Sequence, residues 1–105
     1  MQSDIAAIAA AILHDCCKKA DHERYTAFDH PLRARDLFLA THTATNSQVS
    51  PHRTRIIAGC IASHMGRWNT DTRSGIELPT PLTPLQRIVH TADFLASRKE
   101  LLPIF

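Results

Sequence analysis

Four stretches of this chain carry apolar residues at helical spacing, and hardly any stretch alternates as a strand would. That pattern limits the fold to helices packed on helices, because an apolar helical stripe must be buried against another element. The first helix is expected from about Ser3, its N-cap, to Lys19, with Ile5, Ile8, Ile12, Leu13, Ala9 and Cys16 on one side. A second starts at Pro31, a favoured first helical position, and runs to about Thr43, with Leu32, Leu37, Phe38 and Leu39 as core contacts. Ser50 and Pro51 open a third, whose buried face is Ile57, Cys60, Ile61 and, one turn on, His64; Gly66 ends it. Thr83 and Pro84 start the last, with Leu85, Ile88, Val89, Ala92 and Ala96 inward. The stretches Ala20 to Asp29 and Thr43 to Gln48 read as polar connections. Arg67 to Leu82 has glycine and proline but no clear periodicity, and so long an irregular segment in a small domain is usually functional or disordered. The expected fold class is all-α, a compact helical bundle.

The 105 residues have room for one domain, residues 1–105, built on one modest core. With 44% hydrophobic and 21% charged residues, the composition is that of an ordinary soluble globular protein. A net charge of +2 is too small to imply a nucleic-acid surface by itself, though it does not exclude one. Basic residues gather at Arg53 and Arg55, Arg67 and Arg73, and Arg98 and Lys99, where solvated helix faces account for most such clusters. Cys16, Cys17 and Cys60 show no C-x-x-C spacing, which fits free and mostly buried thiols in a reducing compartment. The first thirteen residues lack the basic start and cleavage site of a signal peptide, and no apolar run approaches ~18 residues. A cytoplasmic protein without a membrane span is expected.

Candidate chemistry lies where these helices meet solvent. His14 and Asp15 stand side by side at the end of the apolar run Ile5 to Leu13, and two metal-ligand types there are hard to explain as packing. Neighbouring helical residues point ~100° apart, so only a cation between their two directions can be reached by both. His64 continues the stripe of Ile57, Cys60 and Ile61 inward, as a ligand or as a hydrogen-bonded core histidine. Asp93 borders the apolar face of the last helix, where a carboxylate needs a cation, a set of donors, or exposure. His30 precedes Pro31, where a ligand and a helix cap are both open readings. Helical bundles build metal sites from such inward residues on facing elements.

In this combination the chain resembles the HD-domain metal-dependent phosphohydrolases, an all-α family. The run A-A-I-L-H-D-C-C-K, Ala10 to Lys18, is similar to the family's apolar helix ending in His-Asp-x-x-Lys. H-P-L-R-A from His30 resembles the histidine-proline helix start of two-metal members. I-A-S-H-M, Ile61 to Met65, resembles the segment carrying their next histidine. I-V-H-T-A-D-F-L-A-S, Ile88 to Ser97, resembles the last helix, whose aspartate closes the site. The similarity covers Ala10 to about Lys99. It implies His14, Asp15, His30, His64 and Asp93 as ligands of one or two divalent ions. The mixed nitrogen and oxygen donors suit Mn, Fe, Co, Ni or Zn. It also implies hydrolysis of a nucleotide or other phosphate ester by a metal-activated water, with Asp15 orienting that water and Lys18 meeting the substrate phosphate.

The family's first histidine lies on a helix before the one ending in His-Asp. Here thirteen residues precede His14 and none is histidine, so the resemblance is to a short form. A missing helix would uncover apolar surface on the first and last helices, and a homo-oligomer is expected from that. For substrate contacts the expectation falls on the segment after His64, where Trp68 stacks on a base or instead caps the core, and Arg67 meets phosphate. Arg98, with Lys99, lies about one turn beyond Asp93, as a phosphate contact or as an ordinary basic helix end. His90, three residues before Asp93, is either a partner of the ligands or partly exposed; Cys16 and Cys17 are read as structural. Two other classes remain: the same fold binding metal or nucleotide without turnover as a regulatory module, and a plain helical interaction module.

Overall fold

A computed structural model describes residues 2–17, 27–44 and 49–96. It is all-α: α1 (Gln2–Leu13), α2 (His30–Ala44), α3 (Pro51–Ala62) and α4 (Pro84–Ala96). Among the described residues, β pairing is confined to one isolated antiparallel bridge, Thr70 with Glu77. No described helix is long and apolar enough to cross a membrane.

The helix starts follow from local chemistry. Ser50 Oγ accepts the Arg53 N–H at 3.1 Å, and Pro51, which has no N–H to satisfy, takes the first position. At α4 the cap is reciprocal. Thr83 Oγ1 accepts the Gln86 N–H at 3.1 Å, while Gln86 Oε1 accepts the N–H groups of Leu82 at 2.8 Å and Thr83 at 3.4 Å. α2 begins one residue before the expected Pro31, at His30. α1 stops at Leu13, short of Lys19. After the His14 N–H bond to the Ala10 carbonyl (2.8 Å) the ladder tightens, with Cys16 N–H bonding the carbonyl of Leu13 at 3.1 Å. α3 likewise ends at Ala62, four residues before Gly66, which stands in the following turn with φ +64°.

α3 is the central helix and lies against α1, α2 and α4, while α1 also meets α4. Its face of Ile57, Cys60 and Ile61 is buried as expected, joined by Ala6 and Ala10 of α1, Ala34 of α2 and Val89 of α4. Fully burying each isoleucine contributes ~1.5–3 kcal/mol. The other faces correct the sequence reading. On α1, Ala6 and Ala10 are inside, while Ile8 is 60% and Ile12 73% exposed. Alanine lets two helix backbones approach closely, so the side facing α3 is the one with the smallest side chains. On α2, Leu37 is half exposed and Phe38 only flanks the core. On α4, Ile88, Ala92 and Ala96 face outward and Val89 inward.

The segment after α3 is ordered by its own hydrogen bonds. Leu78 N–H bonds the Asn69 carbonyl at 2.7 Å, the Asn69 amide returns to the Leu78 carbonyl at 3.1 Å, and Gly75 turns the chain at φ +74°. The buried Leu78 side chain anchors it. The cysteines also depart from expectation, since Cys60 is buried while Cys16 is exposed and Cys17 half-buried.

Candidate metal centre

Three histidines from three parts of the chain are held in one manner. The Nδ1–H of His14 donates to the Ala11 carbonyl (2.6 Å), that of His30 to Ala27 (2.8 Å) and that of His64 to Ile61 (2.7 Å). Each partner lies three residues earlier, and a carbonyl can only accept, so the proton on each ring is assigned to Nδ1. In a neutral ring so anchored Nε2 carries the lone pair, and all three Nε2 atoms turn toward one another; that of His14, 2.9 Å from a carboxylate oxygen of Asp93, donates to it when protonated. His30 Nε2 and His64 Nε2 stand 3.0 Å apart, and the His14 and His64 ring centroids are 4.7 Å apart. Two lone pairs facing each other at that distance need a proton or a cation between them.

Two carboxylates complete the cluster. Asp15 Oδ2 is 3.3 Å from His14 Nε2, and its Oδ1 is 3.3 Å from His30 Nε2 and 3.5 Å from His64 Nε2. Asp93 Oδ1 is 2.9 Å from His14 Nε2. The five residues expected as ligands thus come together from the turn after α1, the start of α2, the turn after α3, and α4. Two donors bound ~2.0–2.1 Å from one ion at the tetrahedral angle lie ~3.3 Å apart, and the observed separations scatter about that value. Among the described residues, His14, Asp15 and His64 offer ligand atoms all within 4.8 Å of one another, a group that could hold a metal ion. Nδ1 anchoring to a carbonyl is also how metal-binding histidines are oriented, since it fixes the tautomer that leaves Nε2 free to coordinate.

Burial is graded across the cluster. The side chains of His64 and His30 are 1% and 4% exposed, and that of His14 16%, while the two carboxylates are about one-third open to solvent. The imidazoles form the floor and the carboxylates the mouth. Electrostatics follow that gradient. The hydrogen bond to Asp93 raises the His14 pKa above its usual 6.5, against the opposing effect of burial and with help from the Ala11 carbonyl and the Asp15 charge. Burial lowers that of His64, with the neighbouring His14 and His30 adding to the effect.

Beside the mouth is a cavity of about 150 Å³ lined by His64, Met65, Trp68, His90, Asp93 and Phe94. Trp68 does not cap the core. Its indole is 45% exposed and stacks on Phe94, with ring centroids 5.4 Å apart and planes 19° apart. The exposed Arg67 guanidinium lies 4.7 Å from the Trp68 ring centroid, a cation–π contact. Sequence reasoning gave Phe94 no role. The legible signal was its position four residues after His90 and one after Asp93, on the α4 face that borders the site. Lys18 and Arg98, the other expected substrate contacts, lie outside the described residues. Comparison with protein-family models, with curated proteins and with solved structures finds no match for this chain.

Proposed function

We propose that this chain is a metal-dependent phosphohydrolase of the HD type, acting on a nucleotide or other phosphate ester. The observation that carries the proposal is the convergence of three anchored imidazoles and two carboxylates at ligand spacing. With both Nδ1 protons committed to carbonyls, the His30–His64 contact needs a further proton or a cation between the Nε2 atoms, and a cation also accounts for the Asp15 oxygen facing both. Asp15 divides the donors. One of its oxygens faces His14, which pairs with Asp93, and the other faces His30 and His64, an arrangement suited to one or two ions of Mn, Fe, Co, Ni or Zn.

When bound, a divalent cation lowers the pKa of a coordinated water and polarises phosphoryl oxygens. The chain's own residues supply the rest. Asp15 and Asp93, at the solvent side, orient the water and meet the ester. Arg67 offers a planar guanidinium to a phosphate, and Trp68 with Phe94 walls a cavity that receives one flat ring of the substrate. At about 150 Å³ it is well below the ~300–1,000 Å³ of sites that enclose a drug-sized ligand, so the phosphate stays outside, near the carboxylates. Lys18 is proposed as a further phosphate contact, and Arg98 likewise. The test is elemental analysis of tag-free protein purified without chelator, followed by a phosphoester screen. One or two transition-metal ions per chain with turnover supports the proposal. Metal without turnover would favour a binding or regulatory module, and failure to take up any of the five metals would overturn the site.

We further propose a homo-oligomer. Ile8 and Ile12 of α1 and Ile88 and Leu95 of α4 are about half exposed or more, and between these helices runs an apolar cavity of about 280 Å³ that reaches His14 and Asp93. A second copy covering this face would remove it from water and close the apolar side of the metal centre. Sedimentation at micromolar concentration is expected to show a dimer or larger species, and a monomer alone would refute this.

A further inference from the structure

His64 sits beyond the last residue of α3, where its backbone N–H keeps only a long bond of 3.5 Å to the Ile61 carbonyl, yet its ring must stay aimed at Asp15 and His30. Its own Nδ1 bond to Ile61 fixes the ring relative to the end of α3. A second bond arrives from a different helix. His90 of α4 donates its Nδ1–H to the backbone carbonyl of His64 at 2.7 Å. The His90 ring also lies directly on Gly66, two residues after His64. A Cβ at Gly66 would stand 2.3 Å from Cε1, 2.4 Å from Nε2 and 2.7 Å from Nδ1 of that ring. Such distances are impossible for real atoms, so any larger residue at 66 displaces either the turn or the imidazole. Gly66 adopts φ +64° as well, a conformation that suits glycine. The ring edge of His90 thus occupies the space that a side chain at 66 would need. It is flanked by Trp68 and Phe94, with centroids 6.2 and 6.4 Å away.

We propose that His90 is a positioning residue that clamps the His64 turn to α4, so that two ligands on separate elements, His64 and Asp93, keep a fixed separation. Asp93 is three residues after His90 and projects from the same side of α4, so one helix carries both the clamp and a ligand. The inference rests on the metal-centre reading above and adds to it a residue that acts on the ligands through the backbone of His64 and does not touch the cation.

The test compares His90→Phe, His90→Asn and Gly66→Ala with the wild-type chain. Zinc affinity is read by competition with a chromophoric chelator, ligand geometry by the visible absorption of the cobalt(II) form, and fold by the melting temperature of the metal-free protein. His90→Phe keeps the ring but loses the donor, and should weaken zinc binding ~10–100-fold with an altered cobalt spectrum, the range typical of residues that orient a ligand. Gly66→Ala should do the same by expelling the His90 ring while leaving its donor in the sequence. His90→Asn offers an amide N–H close to the place of Nδ1–H and should recover most of the affinity and the native spectrum. Wild-type zinc affinity and cobalt spectrum in His90→Phe and Gly66→Ala would overturn the clamp while leaving the metal centre intact. So would an Asn variant as weak as Phe. A wild-type chain that binds neither metal would remove the metal-centre reading itself, and the clamp with it.

Discussion

Asp15→Ala is expected to abolish cation uptake and any phosphoester turnover while leaving the helical circular-dichroism signal nearly unchanged. Three imidazole nitrogens lie within 3.5 Å of this one carboxylate, and its two oxygens face different histidines, so its loss disconnects both halves of the cluster at once. The side chain is one-third exposed and follows the end of α1, so removing it opens no cavity in the core of Ile57, Cys60 and Ile61. Surface changes of that kind usually alter stability by less than ~0.5 kcal/mol, which is why the fold should survive. Asp15→Asn separates charge from geometry. It keeps one acceptor oxygen but loses the anion, and should hold metal more weakly than wild type and better than the alanine variant. Elemental analysis after dialysis decides the matter, and full metal content in Asp15→Ala would eliminate the assignment.

How much of this was legible beforehand depends on the range of the interaction. Helix starts are set by residues within four positions of one another, and Ser50, Pro51 and Thr83 announced those of α3 and α4, whereas α1 begins at Gln2, ahead of its expected cap Ser3. Which apolar face is covered depends on what the helix meets. Hydrophobic spacing singled out Ile8, Ile12 and Ile88, all of which face outward, because spacing shows that a face is apolar without showing what covers it. The five donors could be read as a set because histidine and aspartate at the borders of apolar helices are unusual. Their anchoring could not. Each Nδ1 bond runs to a carbonyl three residues back in a turn whose shape follows from tertiary packing. For His90 the sequence left two readings open, a partner of the ligands or partial exposure, because the atom it bonds is a backbone carbonyl 26 residues away.

Acidification should release the metal, with a slope that His14 sets first. Histidine binds a cation only when its Nε2 carries no proton, so each ligand protonated in the metal-free state costs about tenfold in apparent affinity per pH unit below its pKa. His14 is the most easily protonated of the two shifted groups, because Asp93 stabilises its charged form and raises its pKa above 6.5. Loss of affinity should therefore begin on the alkaline side of pH 6.5. His64 is shifted the other way by burial and should add its proton only below 6.5, so the slope should steepen there. In the metal-free protein the two shifts have opposite signs. The raised His14 contributes stability that is present below 6.5 and lost as pH rises through its folded value. The lowered His64 contributes stability that is present above 6.5 and lost as pH falls toward its folded value. These contributions offset each other, whereas the metal-loaded form holds both rings deprotonated. The gain in melting temperature from saturating zinc should then be largest in mildly alkaline buffer and shrink steadily toward pH 5. Replacing Asp93 with Asn removes the hydrogen-bonding charge that raises the His14 pKa, and should move the onset of release to lower pH even as it weakens binding overall. A metal-dependent gain that stays constant from pH 8 to pH 5 would mean that these histidines are not the ligands.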